Sequence, residues 1–384
     1  MSNITIKEVY LDNITKKINN KSLFKQFLDF PYKLLKDDKM FVPPLYLDEK
    51  NTFNPKKNPA LEWCEYHIFL AFDKNKLVGR VCAIINNKAN ELWERKHLRF
   101  GWLDFCDNEE ISNALFQCLE NFAKQRGLNK IVGPMGFTDM DKEGMMVEGF
   151  DTLCPMAALY NPEYYPKHLE RLGFEKEVDW VQYEMPACQP IPEKMSRINN
   201  LIAQKYNLRI APELSKKELA KRYGYKIFNT LNKAFSGLYG YVPLTDKMIH
   251  YYIKQYLPFV DKKLICLVVD KKDDVVAFGI SMPTLSRALQ KAKGRLFPLG
   301  WYYILKALKN YDYIDLYLNG VDPEWQNKGV HSIYYAKMNE NYIKLGSKLA
   351  IANPQLETNQ ASQVWNKYES RIAIRRRAYF KNIN

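Results

Sequence analysis

Three absences bound the reading before any motif is considered. The seven cysteines (Cys64, Cys82, Cys106, Cys118, Cys154, Cys188 and Cys266) are odd in number and include no C-x-x-C pair. That spacing excludes an ordinary zinc ribbon or disulfide framework and suits buried thiols in a reducing compartment. No run of ~18 apolar residues exists to cross a bilayer, and Met1 to Tyr10 lacks the basic-then-apolar pattern of a leader. Low-complexity stretches are also missing. The expectation is a cytoplasmic protein with no membrane partner and no metal centre.

What is present is ample material for more than one core. The chain has 384 residues, 47% of them hydrophobic and 14% aromatic, which suggests two or three domains. Basic residues outnumber acidic ones by 57 to 43, a formal charge of +14. That excess favours nucleotides, phosphates, nucleic acid or an acidic membrane surface without choosing among them. A Lys- and Asn-rich solvated surface explains it equally well.

The informative feature is an internal echo. Ile68 to Phe72, the polar turn Asp73 to Lys76, and Leu77 to Ile85 read as a β-hairpin. Leu264 to Val269, the turn Asp270 to Asp274, and Val275 to Ile280 repeat that plan. Downstream, Leu98 to Cys106 reads as a strand and Glu109 to Gln125 as a helix with apolar residues on one face. Gly127 caps it, and Lys130 to Pro134 opens the next strand. The second half offers Tyr313 to Val321 as a strand, Gly329 to Leu345 as a helix capped by Gly346, and Lys348 to Pro354 as a strand.

Each half then has an Asn-led helix, from Asn161 and from Asn359. The two hairpin turns lie almost as far apart as the two asparagines, so two copies of one α/β unit are expected. The Pro-rich stretch Pro186 to Pro192 separates them, which gives domains 1–185 and 193–384. Residues 283–312 form an insertion of two helical stretches joined by Gly294 to Gly300.

Chemistry concentrates at Val321-Asp-Pro-Glu-Trp-Gln-Asn-Lys-Gly-Val-His331. A strand ends there, and a loop delivers Gln326-x-x-Gly329 to the start of a helix. Backbone N–H groups at a helix N-terminus, backed by the macrodipole, bind phosphate without charged side chains. Gly329 permits close approach of an anion to the backbone, and Lys328 adds positive charge.

At these residues the sequence resembles the GNAT superfamily of acyltransferases, through Val321, Pro323, Gln326 and Gly329. His331 stands where that superfamily has a small residue. The first half resembles it at Asn161-Pro-Glu-Tyr-Tyr165 and Gly173-Phe174. Its own loop, Asp107-Asn-Glu-Glu110, carries three acids and no Gln-x-x-Gly, so that copy is expected to be degenerate as a cofactor site.

The resemblance implies a mixed α/β fold of two tandem GNAT-like acyltransferase domains. It implies acetyl-CoA or another acyl-CoA bound by Val321, Gln326, Asn327, Lys328, Gly329, Val330, His331 and Asn359. It also implies transfer, most simply of an acetyl group, to an amine of a small molecule or peptide. The tyrosine that such enzymes use to protonate the thiolate is replaced by Asn366 in its usual slot, so Tyr368 and Glu357 are the candidate catalytic residues. Oligomeric state is not legible.

Two rival readings stay open. One is a Fem-like transferase that uses aminoacyl-tRNA, with the basic tail Arg371 to Lys381 on RNA phosphates; as that tail also reads as a closing edge strand, nucleic acid is the lesser expectation. The other is a binding protein that kept the fold and lost the chemistry. Cys154 reads as a buried thiol before a nucleophile. Gly144 to Gly149 reads as a plain loop–strand connection or a ligand-facing turn, and Ser281 to Arg295 as a place for specificity.

Overall fold

The computed structural model describes residues 4–12, 15–187, 192–257, 259–359 and 369–383. Cα packing divides the chain into two units. The first comprises Met1–Val181, Ser286–Trp301 and Ala373–Asn384, and the second comprises Gln182–Leu285 and Tyr302–Ile372.

The first unit is built on β1 (Ile4–Tyr10), β2 (Cys64–Asp73), β3 (Lys76–Asn86), β4 (His97–Phe105), β5 (Lys130–Gly133) and β6 (Met145–Glu148). It also holds the start of β7 (Glu175–Pro186). Strands β1 to β4 run antiparallel in sequence order, while β4 and β5 pair in parallel. A parallel neighbour needs a crossover, and the helix Glu109–Gln125 supplies it. Asn108 caps that helix by accepting from the Glu110 N–H, and Gly127 leaves it at φ 65.

Ile111, Leu115, Phe116, Leu119 and Phe122 on this helix join a core with Phe100, Phe105 and Tyr165. Each such side chain contributes about 1.5–3 kcal/mol through burial. Within the same unit Arg80 is 5% exposed and pairs with Asp104 at 2.6 Å, while also donating to the Phe27 carbonyl at 2.7 Å.

The second unit repeats the plan. Strands β8 (Arg209–Ile210), β9 (Ile265–Val269), β10 (Val275–Pro283), β11 (Tyr313–Val321), β12 (Leu349–Ala352) and β13 (Gln355–Leu356) join the end of β7. Asp273 at φ 67 turns the β9–β10 hairpin. β11 is antiparallel to β10 and parallel to β12, the crossover being the helix His331–Leu345, left by Gly346 at φ 69. That helix packs on β9, β10 and the helix Glu193–Tyr206, while the helix Lys216–Phe235 packs on β10 and β11.

The repeat extends to an irregularity. Pairing of β3 with β4 jumps from Arg80↔Asp104 to Cys82↔Gly101, and pairing of β10 with β11 jumps from Ile280↔Leu318 to Ser281↔Leu316. Both bulges sit on the strand that precedes the crossover helix. Bulges of this kind bend a strand and re-aim its side chains.

Two expectations change in detail. The insertion does contain two helices, Ser286–Ala292 and Gly300–Ala307, but the first makes its polar contacts in the first unit. Ser286 donates to the Cys154 carbonyl at 2.7 Å and Gln290 to the Lys39 carbonyl at 2.8 Å. The tail is a strand, β14 (Arg371–Asn382), but not an edge: it pairs with both β5 and β6.

Its cations are held internally. Arg376 is fully buried and donates to the Cys154 sulfur, Arg377 clamps Asp179 at 2.9 and 3.0 Å, and Lys381 meets Glu120 at 2.7 Å. Arginines committed in this way serve the fold, since a phosphate would have to displace a carboxylate already in place.

Candidate functional site

The loop after β11 is held open by its own side chains. Asp322, buried, takes Lys233 at 2.7 Å and caps the Glu324 N–H. Gln326 folds back to donate to the Val321 carbonyl at 3.2 Å, fixing the base of the loop. Asn327 and Gly329 adopt left-handed backbones, at φ 60 and φ 75.

Residues 326–330 form a hydrogen-bonded turn that leads into the 15-residue helix His331–Leu345. A turn at a helix N-terminus is the kind of backbone geometry that can receive an anion. Glycine is needed at 329 for a second reason: a Cβ there would lie 2.7 Å from Ile202 Cδ1 on the helix Glu193–Tyr206. The open face of the loop is therefore its N–H side, not the side a Cβ would occupy. Lys328 is exposed, its ammonium 5.1 Å from the Trp325 ring.

Beside this turn a cavity of about 510 Å³ opens, and His331 and Ser332 line it. Its walls are the helix His331–Leu345 (Tyr334, Tyr335, Met338, Tyr342), Leu316 and Leu318 of β11, and Met195 of the facing helix. Helical rise places Tyr342 about 16 Å from His331 along the axis. At that end Ser281 and Tyr342 share a 2.6 Å hydrogen bond, and Ala350 is buried. His331 stacks edge-on to Tyr335, ring centres 6.1 Å apart, and so forms part of the cavity wall.

A carboxyl group lies close to the bulge. Asp315 is 4% exposed, and its Oδ1 is buried with no hydrogen-bond partner among the described residues. Burial pushes its pKa up to about 7, opposed only by a hydrogen bond from Thr284. Its strand neighbours are Met282 and Ile351, Thr284 donates a hydrogen bond to it, and it is not among the residues lining the cavity, to which the next residue, Leu316, contributes. Pairing of β11 with β12 ends one residue later, at Leu316↔Ala352. Sequence reading missed Asp315. The available signal was a lone acid in the otherwise apolar start of Tyr313 to Val321.

The expected site residues are thus partly gathered. Val321 and Gln326 to His331 form one loop. Glu357 is exposed beyond β13, and Asn359 is half-buried with its N–H on the Leu356 carbonyl. Neither lines the cavity. Tyr368 and Asn366 fall outside the described residues.

In the first unit the equivalent loop is engaged. Asp107 bonds His168 at 2.9 Å, Asn108 caps the helix, and Glu109 faces Arg171 at 3.6 Å. Cys154 lies against Arg376 and the Met146 sulfur, with Arg376 3.2 Å and Met146 3.4 Å away.

A repeated mixed α/β unit with a bulged strand, a phosphate-type loop and a crossover helix defines the class: the chain carries a tandem GNAT fold. The tandem GNAT protein from the clavulanic acid biosynthesis pathway, solved without AcCoA, aligns over 99% of both chains at 10% identity with a TM-score of 0.55. A GCN5-related glucosamine N-acetyltransferase region of a fungal multi-domain GH3 β-N-acetylglucosaminidase aligns over 98% of this chain and 38% of that one, at 11% identity and TM-score 0.54.

Among curated proteins, YghO of Escherichia coli (strain K12) is 28% identical over 295 residues, 76% of this chain and 73% of its own. The bacterial ceramide synthase of Caulobacter vibrioides (strain NA1000 / CB15N) is 28% identical over 294 residues, 74% of this chain and 73% of its own. No family model matches.

Proposed function

We propose that the chain is an acyl-CoA-dependent N-acyltransferase whose second unit holds the acyl donor, and that the acyl group is a fatty chain in preference to acetyl. One observation carries this reading: a largely apolar cavity that starts beside the turn at the head of the helix and follows that helix to Tyr342. The donor's pyrophosphate fits the turn at Asn327 to Val330, and Lys328 adds to its attraction. The cavity takes the apolar remainder.

Its volume of about 510 Å³ is that of some 17 water molecules at ~30 Å³ each, far more than an acetyl group fills. The kinship with a protein named for making ceramide, a fatty amide of a long-chain amino alcohol, points the same way.

In this reading the acceptor's amine nitrogen attacks the thioester carbonyl carbon, and the carbon–sulfur bond breaks. The amine proton passes to water, and the departing thiolate takes a proton from water.

The test is incubation of the purified chain with palmitoyl-CoA or acetyl-CoA and a long-chain amino alcohol, with the amide read by mass spectrometry. Palmitoyl amide is the expected main product. Formation of no amide from either donor would refute the reading, and acetyl amide alone would refute its fatty-acyl part.

A further inference from the structure

The stretch from Arg287 to Lys309 exposes apolar surface in a way the fold does not require. Phe297 is 81% exposed, and Leu299, Trp301, Tyr302 and Leu305 are each about half exposed or more. In the helix Gly300–Ala307, Trp301 and Leu305 stand one turn apart on the solvent side, while Ile304 is buried. A helix that turns its aromatic residues outward has its amphipathic face reversed relative to an ordinary surface helix.

Charge accompanies this surface. No Asp or Glu occurs from Val275 to Tyr311, whereas Arg287, Lys291, Lys293, Arg295, Lys306 and Lys309 are all exposed. Arg295 is matched by Asp29 at 3.2 Å. Lys291, Lys293, Lys306 and Lys309 have no ion-pair partner among the described residues. Aromatic and aliphatic side chains interleaved with unneutralised cations are the composition that settles at the boundary between headgroups and acyl chains.

We infer that the segment Lys291 to Trp301 docks the protein on an anionic lipid bilayer, with Phe297, Leu299 and Trp301 entering the interface and Lys291 and Lys293 facing the lipid phosphates. No described helix is long and apolar enough to cross a membrane, and peripheral docking needs none. Two other occupants compete: a second copy of the chain and a different protein. A lipid surface is favoured because the cations have nothing in this segment to match on a second, identical copy, which would present the same charge.

The inference does not rest on the acyl-transfer reading. It concerns a surface, and its readout is binding to vesicles without substrate. The experiment is flotation of the full chain with vesicles of phosphatidylcholine alone or mixed equally with phosphatidylglycerol. The wild type is expected to float with the mixed vesicles and far less with phosphatidylcholine, and added salt should release it in part.

Phe297→Ser should lower partitioning about tenfold, and Lys291→Gln and Lys293→Gln about fivefold each on the acidic vesicles. All three sites are exposed, so thermal midpoints should not move. Failure of the wild type to float, or flotation that these substitutions leave intact, overturns the inference. So does a dimer by light scattering that Phe297→Ser dissolves, since the patch would then be covered by a second copy.

Discussion

Replacing Asp315 by asparagine measures what the burial of its charge costs the fold. The carboxyl is held at about 7 rather than 3.8 because burial penalises its charged form. In the unfolded chain it ionises near 4, so between those values the native state binds the extra proton. Stability then falls as pH rises through that window. At about 1.36 kcal/mol for each pH unit, the loss reaches roughly 4 kcal/mol above pH 7.

Asparagine has the shape of the neutral acid and cannot ionise. Asp315→Asn should match the wild type near pH 4 and exceed it by up to about 4 kcal/mol at pH 8. Amide formation should change little, because Asp315 does not line the cavity. Urea denaturation across that pH range, run beside the activity assay, measures both. If the two stability profiles stay parallel, Asp315 does not carry the raised pKa. A loss of activity beyond the change in stability would place the carboxyl in the chemistry.

Two further perturbations address the cavity and the first unit. Ala350→Phe, at the Tyr342 end, should raise KM for palmitoyl-CoA about tenfold and leave acetyl-CoA unchanged; equal effects on both donors would place the chain elsewhere. Arg80→Leu strands the buried Asp104 carboxylate, at a cost of about 3–5 kcal/mol in urea unfolding. Adding Asp104→Asn should recover part of that, and a change under 1 kcal/mol would contradict the pairing.

Much of the architecture was legible because its signals are local. The helix Glu109–Gln125 and the strand Tyr313–Val321 emerge with the bounds read from periodicity, and the two hairpins recur in the expected register. The loop Val321 to His331 was readable because glycine and helix-start chemistry leave marks in a short window. What escaped depends on distant partners. Asp315 becomes unusual only once β10, β12 and Thr284 enclose it.

The cavity needs Met195 and Asn199 from a helix more than a hundred residues away, and that pairing left no periodic trace. The basic tail misled for the same reason. Alternation suggested an edge strand, but the carboxylates that neutralise it, Asp179 and Glu120, lie far off in sequence.

The central claim is that the turn Asn327 to Val330 binds a pyrophosphate. Titration of coenzyme A alone into the wild type and into Lys328→Glu puts this to the test, because among the described residues Lys328 meets the Trp325 and Tyr206 rings and no carboxylate. The wild type should gain about 2.7 kcal/mol of stability at a hundredfold excess over Kd, and the charge reversal should weaken binding about tenfold or more. No binding by the wild type, or equal binding by both, would contradict the account.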